Sequence, residues 1–514
     1  MDWKHGYFAE SGYTYGFYPE VSPARLGWIA SLKGLREPGN QFRYIDMGCG
    51  QGLGLLILAA AYPDAEFVGI DFMPEHIAHA RNLAKRAGLT NVKLIEGDFL
   101  ALNKDPAALA DLGGAGTFDY AVAHGITTWI APEVREALFG LTAKLLGPGG
   151  LFYNSYNTYP GWLAATPFQH LVSQLQSGNT GKGALDGALA ITDQLKEAGS
   201  ALFTLLPSLK DRLEGMKKQD AAYLVQEYNN QFWQPVFCAT MLKLAGQHKM
   251  AFLASATLPE VFENCMPPAL QAIIKAQSDP VLAETVRDLA ISQSFRRDIY
   301  VKGMAKAWQQ EQMNGVGKTR FIAKESTTLP EGDKDFVFNT SFGSITGKRE
   351  PYLKVLAAFG DNGNTLAQAS AACPELNLPT MTQTISLLVT GGWLSVEQPK
   401  VNAKAAHKLN IAMAEAVLDG APYRYLALPR TADAANANDT ELMIVALMQR
   451  GLKADGKTNE LAVQLDAALR RLGRAFLLDG KPVSDPAASL EQAQINVNKF
   501  VQTRLPFLKR LGAL

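Results

Sequence analysis

Between Phe42 and Phe152 the apolar positions fall into two alternating kinds of run, short near-continuous blocks and longer stretches with helical spacing. That alternation predicts a parallel sheet covered by helices, a doubly wound α/β domain. Strands are expected at Phe42–Asp46, Glu66–Asp71, Val92–Gly97, Phe118–Ala123 and Leu151–Tyr156, each short enough to be buried on both faces. Helices are expected at Gly52–Tyr62, Pro74–Ala87 and Pro132–Leu146, the last stopped by Gly147-Pro148-Gly149-Gly150.

After Trp162 the alternation gives way to helical patterns from Pro167 to about Gly303, with a loop-like stretch at Ser177–Gly187. Residues 313–350 are rich in Gly, Lys, Thr and Ser and hold one strand candidate, Asp335–Asn339, which marks a boundary. Beyond Pro351, three short helices (Tyr352–Phe359, Thr365–Ala372, Pro379–Val389) followed by the strand Trp393–Glu397 have the order of a winged helix. The third of these carries no Lys or Arg, whereas groove-reading helices rely on cationic phosphate contacts, so nucleic acid is not an expected partner. The remainder reads as helical, most periodically at Glu460–Phe476. The expected organisation is an aromatic N-terminal lid segment (1–40), a nucleotide-binding domain (41–165), a helical region (166–312), a linker with a short strand (313–350) and a winged-helix-like and helical C-terminal region (351–514).

Composition narrows the picture. A chain of 514 residues suggests about three domains. Its 47% apolar and 19% charged content is that of a globular protein, and 49 basic against 49 acidic residues give no global field toward nucleic acid or anionic membrane. No basic stretch followed by an apolar run opens the chain at Met1–His5, so no secretory signal and a cytoplasmic location are expected. Apolar runs such as Leu53–Ala61 are too short to cross a bilayer, so no membrane insertion is expected. Cys49, Cys238, Cys265 and Cys373 are far apart and read as reduced, mostly buried thiols. His76 and His79 lack a third ligand at suitable spacing, so they read as a solvated helix face and no metal is expected.

The informative run is Tyr44-Ile45-Asp46-Met47-Gly48-Cys49-Gly50-Gln51-Gly52, an apolar strand that delivers an acid and three alternating glycines into a helix. Glycines let the backbone turn sharply and approach a ligand closely. Asp71 closes the second strand about 20 residues later, where a carboxylate can accept from both hydroxyls of a ribose. A dinucleotide fingerprint is not met, because Leu53 or Leu55 stands where the third glycine of Gly-x-Gly-x-x-Gly belongs. The pattern resembles instead the first motif of class I S-adenosylmethionine-dependent methyltransferases. Gly97-Asp98-Phe99 after the third strand and Phe118-Asp119-Tyr120 opening the fourth agree with it in order and spacing. By that resemblance Asp46, Gly48, Gly50 and Gly52 surround the amino-acid end of the cofactor, Asp71 holds the ribose and Asp98 accepts from the adenine amine. Phe72, Met73 and Phe99 are placed to pack on the ring. Asp119 reads as structural.

Substrate should meet the cofactor beyond the carboxyl ends of strands four and five. Two segments rich in aromatic and hydrogen-bonding groups land there, His124-Gly125-Ile126-Thr127-Thr128-Trp129 and Tyr153–Trp162. Methyl transfer from a sulfonium needs in-line alignment, exclusion of water and a free lone pair. Aromatic walls suit the first two needs, and His124 could orient or deprotonate an incoming amine. The candidates beside the transferring methyl are His124, Tyr156, Asn157, Tyr159 and Trp162, with Tyr7, Tyr13, Tyr15, Phe17 and Tyr18 as a covering segment.

With these residues laid out, the chain is similar to the bacterial methyltransferases that carry a methyltransferase regulatory domain. The resemblance rests on Tyr18-Pro19-Glu20 with Pro23-Ala24-Arg25-Leu26, the glycine motif, His124-Gly125 before Trp129, and Ser155-Tyr156-Asn157-Thr158-Tyr159-Pro160-Gly161-Trp162. Downstream, Tyr223–Tyr228 with Pro235-Val236-Phe237, and Phe295-Arg296-Arg297 with Asp288, resemble the regulatory domain. The rickettsial lysine methyltransferases that act on an outer-membrane protein are similar in this architecture, which implies lysine ε-amines of a protein as acceptor and a homodimer as a possible assembly. Thr127-Thr128 departs from the more usual Tyr-Ser. A small-molecule methyltransferase, expected to have a closed apolar pocket, and a non-catalytic protein that senses S-adenosylmethionine remain alternatives.

Overall fold

The computed structural model describes residues 7–8, 13–36, 39, 41–177, 179–304, 306–324, 329–453, 460–478 and 480–514. Met1–His5 and part of the expected 1–40 lid segment lie outside the described residues. After helix α1 (Pro23–Leu32), the strands β1 (Arg43–Met47), β2 (Glu66–Asp71), β3 (Val92–Glu96), β4 (Phe118–Ala123) and β5 (Leu146–Asn157) lie parallel in the order β3-β2-β1-β4-β5. Ile45 of β1 sits between Val68 of β2 and Ala121 of β4, all three buried, as expected of a sheet covered on both faces. The intervening helices are α2 (Leu53–Ala61), α3 (Pro74–Ala87), α4 (Phe99–Lys104), α5 (Pro106–Asp111) and α6 (Pro132–Leu145). The Gly147–Gly150 stop is itself the start of β5, so that strand begins five residues before the expected Leu151.

Two strands complete this sheet from a region expected to be helical throughout. β6 (Met250–Ser255) and β7 (Phe295–Lys302) extend it to seven strands in the order β3-β2-β1-β4-β5-β7-β6, with β7 antiparallel to both neighbours. The 166–312 stretch is therefore not a separate helical unit, because its second half is an edge of the same sheet. Charge hid β7: Arg296, Arg297 and Asp298 interrupt its apolar pattern. The interior satisfies Arg296 and Asp298, Arg296 donating to Asp298 at 2.8 Å, Asp288 at 2.6 Å and Glu284 at 2.9 Å. Between β5 and β6 the chain forms α7 (Thr166–Leu175), α8 (Gly181–Glu197), α9 (Ala201–Leu205), α10 (Pro207–Met216), α11 (Ala221–Asn229) and α12 (Cys238–Gln247), and α13 (Pro268–Lys275) and α14 (Pro280–Ile291) precede β7. Most of the expected 177–187 loop is the first turns of α8, whose Gly183 amide is capped by Thr180 Oγ1 at 3.1 Å. Helices α7 to α11 bury their own core around Trp162, Phe168, Tyr228 and Trp233.

The 313–350 stretch is not a linker with one strand. It holds the end of α15 (Gln309–Lys318), then β8 (Arg320–Ala323) and the hairpin of β9 (Phe336–Thr340) with β10 (Gly343–Gly347). Strand β8 pairs antiparallel with β11 (Asn364–Thr365) and β12 (Leu394–Glu397), so the C-terminal unit begins before Pro351. Four residues are too few to read by alternation, although Phe321 and Ile322 are fully buried. Around this sheet lie α16 (Arg349–Phe359), α17 (Leu366–Ala372) and α18 (Leu378–Thr390), the order of a winged helix. Helix α19 (Lys404–Leu418) packs on α2 and α3 and so joins the C-terminal region to the back of the glycine turn. Further on come the hairpin of β13 (Tyr425–Leu428) with β14 (Asp433–Asn436) and helices at Asp439–Gln449, Glu460–Arg471, Pro486–Lys499 and Leu505–Arg510. Among the described residues no helix is long and apolar enough to cross a membrane.

Candidate active site

At the end of β1 the chain must reverse into α2 within a few residues. Gly48 and Gly52 do this at φ +84° and +74°, in the left-handed region that favours glycine. A Cβ on Gly52 would stand 2.6 Å from the Ala80 Cβ, and one on Gly48 would stand 2.9 Å from Ile126 Cδ1. The turn and the ends of β2 and β3 enclose a cavity lined by Asp46, Gly48, Gly50, Gly52, Asp71, Phe72, Asp98 and Phe99, whereas Met73, also expected to pack on the ring, is buried and does not line it.

Asp71 is buried and already engaged. Its Oδ2 accepts from the Gly50 amide at 2.8 Å, and its Oδ1 accepts from the Met73 amide at 2.9 Å and from His76 Nδ1 at 3.2 Å. Three donors use three of about four acceptor positions of a carboxylate, which fixes its orientation and leaves room on Oδ2. Asp98 caps α4 by accepting from the Leu100 amide at 2.9 Å while it lines the cavity. Burial, with Asp71 nearby, raises Asp46 to about 7.

The histidines of α3 are not a solvated face. His76 is 2% exposed, and its Nε2 accepts from the Tyr13 amide at 3.4 Å, so Nδ1 is the nitrogen that donates to Asp71. His79 bridges the Gln51 carbonyl at 2.7 Å and the Tyr423 hydroxyl at 2.7 Å, and burial lowers its pKa. Both serve to tie other segments to the glycine turn. Among the described residues no group of three ligands could hold a metal.

Of the N-terminal aromatics, Tyr7, Tyr13 and Tyr18 line the cavity, with Tyr7 edge-on to Phe72 at 5.3 Å. Tyr15 and Phe17 turn away to pack on Tyr423 and Tyr425. Tyr18 stacks on His124 at 3.8 Å. His124 Nδ1 meets the Tyr153 hydroxyl at 3.0 Å and Ser155 Oγ at 3.2 Å, and burial lowers the imidazole to about 4, so it is neutral near pH 7.

Tyr13, Tyr18, His124 and Trp129 form a wall shared with a second cavity of about 820 Å³. Here the pleat of β5 divides the expected candidates. Asn157 faces this cavity, as does Trp162 beyond the strand, its ring covered by the Arg212 guanidinium at 4.1 Å. Tyr156 lies on the opposite face, fully buried, and donates to Asp298 Oδ2 at 2.6 Å. It anchors β7 and lines neither cavity. Tyr159 packs on Phe237 at 5.3 Å and lines neither cavity. Period-2 alternation separates Tyr156 from Asn157, whereas reading Tyr153–Trp162 as one block merged them.

Glu227 was missed as a site residue. It projects from α11 into the second cavity, 3% exposed, and its Oε1 accepts from Asn157 Nδ2 at 2.7 Å and Trp233 Nε1 at 3.1 Å. Tyr223, one turn earlier, donates to Oε2 at 3.3 Å. Burial raises this carboxyl to about 7 against the pull of those donors. The available signal was an acid on the buried face of an amphipathic helix, one turn after a tyrosine.

Comparison with known proteins gives two family matches, a methyltransferase domain over residues 39–226 and a predicted methyltransferase regulatory domain over residues 220–302. The chain is 31% identical to protein sll1526 of Synechocystis sp. over 527 aligned residues, covering 100% of each. It is 25% identical to protein RP789 of Rickettsia prowazekii, covering 73% of this chain and 68% of the relative. Its fold matches that of PKMT2 from Rickettsia typhi, solved in complex with AdoHcy, with a TM-score of 0.71, 19% identity and coverage of 98% and 99%.

Proposed function

Because the chain belongs to the methyltransferases that carry a predicted methyltransferase regulatory domain, we propose that it transfers the methyl group of S-adenosylmethionine to lysine ε-amines of a protein. The cofactor supplies an electrophilic methyl on sulfur. The residues present fit it: a glycine cradle that side chains would fill, and three carboxylates lining one cavity. In this reading Asp71 accepts from the ribose hydroxyls through its remaining capacity on Oδ2. Asp98 accepts from the adenine amine, Phe72 and Phe99 flank the ring, and Asp46 faces the cationic amino-acid end.

The observation that carries the acceptor class is the second cavity. At about 820 Å³ it is near the upper end of small-molecule sites and shares a wall of aromatic rings with the cofactor cavity. Tyr13 and Trp129 line it with aromatic rings that suit a cation, and Tyr18, stacked on His124, and Trp162, covered by Arg212, add apolar wall for a methylene stem, which together describe a lysine side chain. Asn157 and His124 orient the amine. His124, held at about 4, is too weak a base to strip an ammonium and serves as a neutral hydrogen-bonding wall.

The test is incubation of the full chain with methyl-labelled cofactor and a bacterial protein extract, followed by amino-acid analysis of the labelled fraction. Label on methyllysine is expected. Label confined to the small-molecule fraction would refute the acceptor class, and no label in either fraction would refute catalysis.

A further inference from the structure

Resting on the lysine reading, we propose that Glu227 is the carboxylate that binds the substrate ammonium and accepts the proton released before methyl transfer. The geometry fits the task. Asn157 and Trp233 both donate to Oε1, whereas Oε2 has the longer Tyr223 hydroxyl contact at 3.3 Å, and the Trp129 indole N–H, without a hydrogen bond of its own, adds its pull on a carboxylate that lines the aromatic cavity. One oxygen is thus held rigidly and the other keeps acceptor capacity toward the cavity. An ammonium brought beside Trp129 and Tyr223 meets aromatic rings and this one buried carboxylate, while the Trp162 ring already carries the Arg212 guanidinium.

The step balances simply. The ammonium gives one proton to Glu227 and becomes an amine with a free lone pair. That pair forms the N–C bond as the C–S bond breaks with its electrons left on sulfur. The N-methylammonium product keeps its own proton, and the Glu227 carboxyl returns its proton to solvent when product leaves. An ordinary carboxylate, at about 4.3, is a poor base for an ammonium near 10.4, but burial brings Glu227 to about 7, far nearer than His124 at about 4. The other charged or titratable groups around the cavity are Tyr223 and Tyr228 from α11, Arg212 from α10, Arg297 from β7, Tyr13, Tyr18 and Glu20 from the N-terminal segment, and His124. Glu20 is turned toward Arg25 and Arg297, which hold its pKa low and leave Glu227 as the carboxylate able to take a proton near neutrality.

The experiment compares the full chain with Glu227→Gln, Glu227→Asp and Tyr223→Phe, using Nα-acetyl-lysine N-methylamide as acceptor probe and its norleucine counterpart as control. Methyl transfer is followed from pH 6 to 9, and calorimetry measures S-adenosylhomocysteine binding and then lysine-probe binding to that complex. Expected results are at least 100-fold slower transfer in Glu227→Gln without the acid limb of the wild-type profile, partial recovery in Glu227→Asp, and unchanged S-adenosylhomocysteine affinity. Lysine-probe binding to the complex should weaken at least tenfold in Glu227→Gln. Tyr223→Phe removes a donor that favours the ionised carboxylate, so its acid limb should move to higher pH, a readout that holds even if Glu227→Gln folds poorly. A Glu227→Gln profile matching wild type within threefold, or an unmoved limb in Tyr223→Phe, overturns the role of Glu227 and leaves the lysine reading intact. Failure of the wild-type complex to distinguish the lysine probe from norleucine overturns the role of Glu227. Label found solely on non-amine acceptors in the extract overturns the reading beneath it.

Discussion

Replacing Asp71 with Asn keeps the volume of the side chain and removes its charge and one acceptor oxygen. In the structure the carboxylate already accepts from the Gly50 amide, the Met73 amide and His76 Nδ1. An amide nitrogen in place of either oxygen turns a donor toward a donor. Leaving a buried donor unpaired costs about 1–3 kcal/mol of stability. On the cofactor side, hydrogen bonds to a charged acceptor contribute about 1.5–3 kcal/mol each, and the variant keeps at most a weakened version of them. A loss of about 2–4 kcal/mol corresponds to roughly 30- to 700-fold weaker binding. Calorimetry with S-adenosylhomocysteine measures this directly, and ligand-induced stabilisation gives an independent check. A concentration 100 times the wild-type Kd stabilises wild type by about 2.7 kcal/mol. A variant weakened about 100-fold gains only about 0.4 kcal/mol under the same conditions. Binding within threefold of wild type by a folded variant would refute the assignment of this cavity to the adenosyl cofactor.

Two further outcomes separate structure from chemistry. Tyr156→Phe removes one of two hydroxyls that donate to the buried Asp298 Oδ2, the other being Tyr300 at 2.9 Å, so it should cost about 1–3 kcal/mol in urea unfolding. Its rate per folded molecule should stay within twofold of wild type, and a large loss of turnover without loss of stability would place Tyr156 back in the reaction. The pH dependence of stability has a definite sign at Asp46. Its carboxyl is raised to about 7 in the fold against about 3.9 unfolded, so the folded state binds more protons between those values. Its contribution is full below pH 4 and falls away as the pH rises to 7; Glu227 acts in the same direction, and His124, lowered to about 4, in the opposite one. Asp46→Asn removes this term, so the stability of the variant relative to wild type, measured without cofactor, should be greater at pH 8 than at pH 5. A difference independent of pH would sink the assignment.

The cofactor cavity was legible because its determinants are local. The turn after β1 needs left-handed backbone at Gly48 and Gly52, and no other residue fits against Ile126 and Ala80. Asp71 and Asp98 close β2 and β3, and parallel strands in this order bring their carboxyl ends together whatever the rest of the chain does. The second cavity was only partly legible. His124, Asn157 and Trp162 reach the second cavity, but Tyr156 and Tyr159 do not.

By itself the sequence determined the doubly wound core, the glycine turn and the carboxylates above it, because sterics and hydrogen bonding over a few residues dictate each of them. The tertiary structure alone decided which side of β5 meets the second cavity, that β6 and β7 finish the sheet, and that Glu227, 70 positions beyond Asn157, joins it at 2.7 Å. Those outcomes depend on burial between distant segments. A buried charge such as Arg296 or Glu227 looks like a surface residue in the chain, and only the partners the fold supplies reveal where it can be accommodated.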